Sequence, residues 1–343
     1  MNEIDPPPLS TDEESPEELP SADTVIDQLE SGDPTEDYSV LRGLSEIGNS
    51  QLMRLMALWP TFDPERRREL LAKLDQLASA QAVLDFHRIH LAALHDPDIA
   101  TRILAVRGIA IEERPDYLQL LCAQLETDEA ASVRAEIADV LSKWVVSMEF
   151  GLLSDEDAEE LQVALTARVH DIEEDEEVRG RSLEALGACS DETVGELIGE
   201  SYEVGSHRLR VAAIRAMGRS ASETWLQILI FNFDDEDADI RIAAATASGA
   251  LLVEEAATPL GMLLDDSELD VQIAAVEALG EIASDESERI LIRLVRETTI
   301  SELRSVAQNA LAQVQLAGVS MLDDEADDPD FADADAESDD SFE

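Results

Sequence analysis

Gly187, Gly218, Gly249 and Gly280 stand 31 residues apart and close the four-residue strings EALG, RAMG, TASG and EALG. One interval kept across four glycines means that a single structural unit is repeated, which restricts the chain to a stacked array. A second set of positions agrees. Arg102, Arg134, Arg179, Arg210, Arg241, Gln272 and Arg304 follow one another at steps of 32, 45, 31, 31, 31 and 32. An acid stands six residues before the anchor in DPDIATR, DEAASVR, EEDEEVR, DEDADIR and DSELDVQ, whereas VGSHRLR and TTISELR keep the spacing and lose the acid.

Each unit holds two apolar stretches of helical period, such as ETWLQILIFNF (223–233) and DIRIAAATASGALL (239–252), joined by the acidic segment. No alternating strand pattern competes, so the expected class is all-α. A pair of helices this short buries one stripe internally and the other against its neighbours, so the units stack. Gly187, Gly218, Gly249 and Gly280 are then repeat-packing positions, and Gly249→Leu is expected to overpack that seam by about 1–3 kcal/mol.

The second helix resembles that of a HEAT repeat, D-x-x-x-x-V-R-x-x-A-x-x-A-L-G, most closely in EEDEEVRGRSLEALG (173–187) and DSELDVQIAAVEALG (266–280). The resemblance implies a right-handed α-solenoid of about eight HEAT-like helix pairs over roughly 50–318, the first two degenerate. It also implies that Asp96, Arg102, Asp128, Arg134, Arg179, Asp235, Arg241 and Gln272 form a structural ladder between repeats, weakened where Gln272, Val204 and Thr298 depart from the pattern. The segment 43–74 is similar to the front of bacterial HEAT-repeat proteins of unassigned function, and the repeats also resemble those of phycobilisome lyases. Within it Asp63 can cap a helix that starts at Pro64.

The 343 residues hold 24 basic and 78 acidic side chains, for a net charge of −54. Residues 1–37 and 319–343 contain no base and are read as disordered acidic tails flanking a repeat domain at 38–318, with one short helix possible in the sequence TVIDQLE (24–30). The repeat region is acidic too, which opposes binding to a phosphate backbone and excludes nucleic acid as a partner. The first residues have neither a basic nor an apolar signal region, and no apolar run is long enough to span a membrane, so the expected location is the cytoplasm. Cys122 and Cys189 lie in apolar patterns without metal spacing and read as buried reduced thiols.

No catalytic constellation emerges. Asp235, Asp237 and Asp239 satisfy the first positions of a calcium loop, but Ile240 and Thr246 stand where it needs Gly and Glu. His87 and His90 are three apart, yet none of the five histidines is followed by Glu, as the paired iron ligands of a deoxyhypusine-type hydroxylase require. They read as partly buried or surface residues. Nucleophile-elbow and phosphate-loop motifs are absent. No cofactor or metal is expected, and the chain reads as a monomer.

Function therefore falls to binding. One, five and nine residues past the anchor, side chains share an exposed stripe of the second helix. Val211, Ile242 and Ile273 form an apolar column there, beside Arg215, Arg219 and Glu277. These are the candidate partner-binding residues, the alternative being that the apolar column tucks against the neighbouring repeat. The 14 extra residues near 147–161 read as an enlarged loop, and Arg66, Arg67 and Arg68 as either plain surface or a salt-sensitive seat for an acidic tail. The leading reading is a non-enzymatic scaffold that binds a partner protein on the concave face. The alternatives are a phycobilin-lyase-like tetrapyrrole-handling factor and an acidic nucleic-acid mimic.

Overall fold

A computed structural model describes residues 19–32, 38–111 and 114–326, and every regular element among them is helical. The expectations for 1–18, 33–37 and 327–343 lie outside the described residues. The chain divides at Glu112/Glu113 into two compact units.

Unit 1 contains α1 (Ala22–Ser31), α2 (Asn49–Leu58), α3 (Pro64–Ala80), α4 (His87–Ala93) and α5 (Ile99–Ile109). Helix α1 lies inside the segment read as tail. Ser21 caps it through Thr24 N, it buries Val25, Ile26 and Leu29, and its Asp23, Asp27 and Glu30 surround Arg54 of α2. Three apolar side chains at helical spacing outweighed the acidic composition. Asp63 caps α3 and accepts from Arg66 N at 2.8 Å.

The three neighbouring arginines of α3 are all engaged. Arg66 donates to Leu29 O at 2.7 Å and lies over the Phe62 ring, Arg67 is paired with buried Asp96 at 2.8 Å, and Arg68 with Asp98 at 3.0 Å. They hold unit 1 together and offer no free seat for a tail. Trp59 Nε1 also donates to Asp96, at 2.7 Å, so that carboxylate is satisfied although it is buried.

His90, expected to be partly buried or on the surface, is 1% exposed. Its ring lies on Gly108, where a Cβ would come within 2.0 Å of His90 Cδ2. Nδ1 is 3.2 Å from Phe86 O, and Nε2 is 2.8 Å from Asp75 Oδ1, which has no other partner. If Nδ1–H donates to the carbonyl, bare Nε2 faces a carboxylate oxygen. Both contacts are favourable only when the pair holds one further proton.

Burial raises the Asp75 carboxyl from 3.8 to about 6, opposed by Arg107 of α5. Burial also lowers His90 from 6.5 to about 4, aided by His87 and opposed by Asp85. The raised carboxyl makes stability fall as pH climbs from about 4 to 6, and the lowered imidazole makes it rise from about 4 to 6.5, so the two offset. In Asp75→Asn only the imidazole contribution remains. Hydrogen-exchange protection of α3 and α4 is expected to increase with pH across that window in the variant and to stay nearly level in the parent. A level profile in both would refute the coupling.

Unit 2 contains six helix pairs: α6 (Pro115–Thr127) with α7 (Ala131–Glu149), α8 (Asp155–His170) with α9 (Glu176–Leu186), α10 (Glu192–Val204) with α11 (His207–Arg219), α12 (Leu226–Phe231) with α13 (Ala238–Ala250), α14 (Ala257–Met262) with α15 (Leu269–Ile282), and α16 (Asp285–Glu297) with α17 (Ser301–Ala326). The second helices pack in succession, α7 on α9, α9 on α11, α11 on α13, α13 on α15 and α15 on α17. With the α2/α3 and α4/α5 pairs of unit 1, the described residues hold eight pairs.

Two details depart from expectation. The extra residues between Arg134 and Arg179 lengthen helices rather than a loop: α7 has 19 residues and α8 has 16, against 13 in α11. Helix α17 continues to Ala326, past the boundary expected at 318.

At the seam between second helices, a Cβ on Gly187 would lie 2.9 Å from Ala216 Cα, on Gly218 2.6 Å from Ala247 Cα, on Gly249 2.7 Å from Ala278 Cα, and on Gly280 2.9 Å from Ala310 Cβ. Each glycine therefore sets how closely its repeat meets the next. The turns that follow use a left-handed residue at Ala221, Leu252 and Ala283, again 31 residues apart.

Candidate functional site on the second-helix face

The ladder fixes how each second helix starts. Arg102 Nη1 donates to Asp96 O at 2.8 Å, Arg134 Nη1 to Asp128 O at 2.6 Å, Arg241 Nη1 to Asp235 O at 2.8 Å, and Gln272 Nε2 to Asp266 O at 2.6 Å. Arg304 makes the same bond to Thr298 O. The acceptor is the backbone carbonyl six residues back, so the bond survives the loss of the acid at Thr298, whereas Arg210 turns instead to Asn232 and Asp235. Arg179 differs, donating from Nε to Val169 O at 3.0 Å.

The acid has two other tasks. Its carboxylate accepts the backbone N–H two residues on, as in Asp96 to Asp98 at 2.8 Å, Asp128 to Ala130 at 2.9 Å and Asp235 to Asp237 at 2.9 Å. It also receives the anchor of the preceding repeat. Arg210 meets Asp235 at 2.9 Å and Arg241 meets Asp266 at 2.8 Å. Arg134 meets buried Glu174 through Nε at 3.0 Å and Nη2 at 2.5 Å. The rung residue is thus Glu174 rather than Glu173, which the six-residue spacing selects; a glutamate, longer by one methylene, reaches Arg134 from one residue later.

The stripe just past these anchors divides into two halves. Over α9 and α11 it is a charge network. Glu184, 5% exposed, lies 3.2 Å from Arg215 and 3.9 Å from Arg181, and its carbonyl accepts from Arg219 at 3.2 Å. Glu177 pairs with Arg181 at 3.1 Å and Arg208 at 3.0 Å, while Arg181 reaches Asp139 of α7 at 3.2 Å. Val211, read as either exposed or tucked against the neighbouring repeat, is buried within this half at 8%. Gly180 and Ala212 bring α9 and α11 close, a Cβ on Gly180 lying 3.3 Å from Ala212 Cβ, and this approach covers the valine.

Over α13 and α15 the stripe is apolar at its floor. Ile242 and Ile273 are half-buried and flanked by exposed Thr246, Glu277 and Glu281. Burial, and then the neighbouring Glu277 carboxylate, raise the Glu281 carboxyl above its ordinary value. The structure therefore brings Arg215 and Arg219 to one end of the stripe and Ile242, Ile273 and Glu277 to the other, and withdraws Val211. Sequence reasoning missed Glu184. Its signal was present in the column five past the anchor, where an acid at 184 precedes a base at 215.

His207, Asp237 and Asp239 place possible metal-ligand atoms within 4.8 Å of one another, the one such group among the described residues. His207 Nε2 is 2.8 Å from Asp237 Oδ2, and Asp237 Oδ1 caps α13 by accepting from Asp239 N. The N-termini of α11 and α13 both meet there, so their dipoles disfavour a cation. Cys122 and Cys189 are free and buried, and burial pushes the Cys122 thiol up to about 12, far from a reactive thiolate. No helix among the described residues is long and apolar enough to cross a membrane.

A sequence profile of HEAT repeats matches residues 162–249 and 232–312. Among curated proteins none matches the sequence. Among solved structures, the complex of CpcE and CpcF of phycocyanin lyase from Nostoc sp. PCC7120 is 16% identical, covering 66% of this chain and 94% of that one, with a TM-score of 0.43. Human deoxyhypusine hydroxylase is 16% identical over 76% of this chain and 99% of its own, with a TM-score of 0.30. A designed armadillo repeat protein is 20% identical over 57% and 99%, with a TM-score of 0.33. Similarities of this size carry nothing about activity.

Proposed function

We propose that this chain, a HEAT-repeat protein, is a scaffold that binds a segment of a partner protein along the second-helix face, centred on Ile242 and Ile273. The observation that carries this reading is the register. Two half-buried isoleucines occupy the same position in adjacent repeats, between the arginines of α11 and the glutamates of α15. An extended segment meets apolar floor and charge of both signs in one pass, which selects orientation as well as affinity.

Ile242→Asp with Ile273→Asp is expected to weaken the partner up to about 100-fold, because full burial of each side chain is worth about 1.5–3 kcal/mol and about half of that is already gained in the free chain. The fold is expected to survive, since both side chains are already partly in water. Photo-crosslinkers placed at 242 and 273 are expected to capture the same polypeptide, and one placed at exposed Phe231, on the first helix of its pair, to miss it. A partner held equally well by the double variant would end the proposal for this face.

A further inference from the structure

The last junction of unit 2 lacks the rung that closes three of the four before it; the α9–α11 junction, with Val204 in the acid's place, lacks it too, but there Arg179 turns to Val169 O. Arg134 with Glu174, Arg210 with Asp235 and Arg241 with Asp266 each tie one repeat to the next. At the following step the anchor is Gln272 and the residue in the acid's place is Thr298, while Gln272 Nε2 spends its bond on Asp266 O. A groove of about 600 Å³ opens there, lined by Gly261, Leu264, Gln272, Arg293, Ile300 and Leu303.

Arg293 continues from the groove onto the exposed face of α16. Arg289, Arg293 and Arg296 share that face at helical spacing, and all three are exposed. Arg289 is paired with Glu286 at 2.7 Å, whereas Arg293 and Arg296 have no ion pair among the described residues. In a chain of net charge −54, two guanidinium groups without an ion pair, beside a mainly polar groove with one apolar wall of Leu264, Ile300 and Leu303, are out of keeping with the rest of the surface. Asp265 and Glu297 also border the groove, so an acidic ligand is accepted only along the arginine side.

We propose that residues 327–343 of this same chain dock there, acids on the α16 arginines and a phenylalanine in the groove. That segment, DDPDFADADAESDDSFE, carries nine acids, no base, and Phe331 and Phe342. Its acids suit the arginines, and its phenylalanines suit the Leu264, Ile300 and Leu303 wall of the otherwise polar groove. Its reach matches too. Gln315 Nε2 donates to Glu288 Oε1 at 3.2 Å, so α17 runs back along α16 and continues past the Asp285 end. From Ala326 to the groove beside Ile300 is about 39 Å of helix, and 17 extended residues span about 55 Å. Returning along α16, the segment meets Arg289, Arg293 and Arg296 in turn and covers the gap left by the absent rung.

The sequence supplies a clean test, because Lys73 and Lys143 are its only lysines. In full-length R293K/R296K, carbodiimide treatment joins the two introduced amines to carboxylates held against them. The expected products are amides to acids within 327–343, formed inside single molecules in a mixture of heavy- and light-isotope protein. They are expected at about 0.02 M salt and to fall about fivefold at about 0.5 M, where the Debye length is about 4 Å. Replacing Phe331 and Phe342 by serine is expected to lower the yield at either salt. Amides confined to Asp265, Glu286, Glu288 or Glu297 would overturn the proposal, as would amides to 327–343 formed solely between molecules or insensitive to salt. The partner site on α11, α13 and α15 is untouched by these changes, so either idea can fail alone.

Discussion

Gly218→Ala is expected to destabilise unit 2 while Gly195→Ala stabilises it, although both replace a helical glycine by the best helix former. At Gly195, in α10, an added Cβ meets nothing within 4 Å, so only the propensity gain of about 1 kcal/mol is felt. At Gly218 the same atom would stand 2.6 Å from Ala247 Cα and 3.0 Å from Ala247 O. Those are backbone atoms and cannot turn aside by a rotamer change, so α11 and α13 must move apart. Loosening the seam also loosens the Arg210–Asp235 rung that bridges the same two repeats. Overpacking at the upper end of about 1–3 kcal/mol, less the propensity gain of about 1 kcal/mol, leaves Gly218→Ala a net cost of about 2 kcal/mol, or about 4–8 °C in Tm for a unit of this size. Thermal unfolding followed by circular dichroism checks both signs. Equal shifts at 195 and 218 would mean that the 31-residue glycine pattern is not a packing pattern.

That seam was legible in the sequence because it depends on one residue type at one interval. So was the unit, since apolar spacing and the acid–arginine offset each mark the same turn between helices. The acid-rich string at 234–239 resolves into separate backbone duties: Asp235 holds the turn and a rung, and Asp237 caps α13. What stayed hidden depends on three-dimensional reach. Arginine to backbone carbonyl leaves no trace at the residue that supplies the carbonyl, so the losses at Val204 and Thr298 looked equivalent. They are not. Arg210 turns to Asn232 and Asp235, whereas Arg304 keeps its bond to Thr298 O.

The candidate site was legible in the same measure. Ile242 and Ile273 stand on the stripe where periodicity put them, but Val211 obeys the same arithmetic and is covered. The difference lies in the residues one repeat back, where glycine at 180 admits a closer approach. Left-handed turns at Ala221, Leu252 and Ala283 repeat as faithfully as the glycines, yet no glycine marks them. Helix α1 was legible as a short helix at 24–30, but its packing was not, because its acids read as tail until Arg54 is brought against them from α2.

Asp266→Ala is expected to cost unit 2 about 3 kcal/mol or more, the range for leaving a buried charge without its partner. Arg241 approaches Asp266 with two bonds, Nε at 2.8 Å and Nη2 at 2.9 Å, and the two side chains are only 10% and 11% exposed. Removing the carboxylate strands the guanidinium against Asp235 O and Glu236 O, which satisfy its hydrogen-bonding but not its charge. It also frees Glu268 N, which Asp266 accepts at 2.9 Å. Asp266→Asn separates these effects, keeping the turn bond and losing the charge, so it is expected to recover only part of the loss. Adding Arg241→Met to Asp266→Ala removes the stranded charge and is expected to recover more, the sum falling well short of additive. The Arg241 hydrogen bonds hold the Asp266 carboxyl below its ordinary 3.8, against the opposing effect of burial. Its contribution is therefore present above that value and lost as pH falls through the lowered one. Unfolding midpoints measured at neutral pH and below pH 4 are expected to show the Asp266→Ala penalty shrinking in acid, where the parent loses the same interaction. A penalty independent of pH would assign the loss to the turn bond at Glu268 instead of the rung.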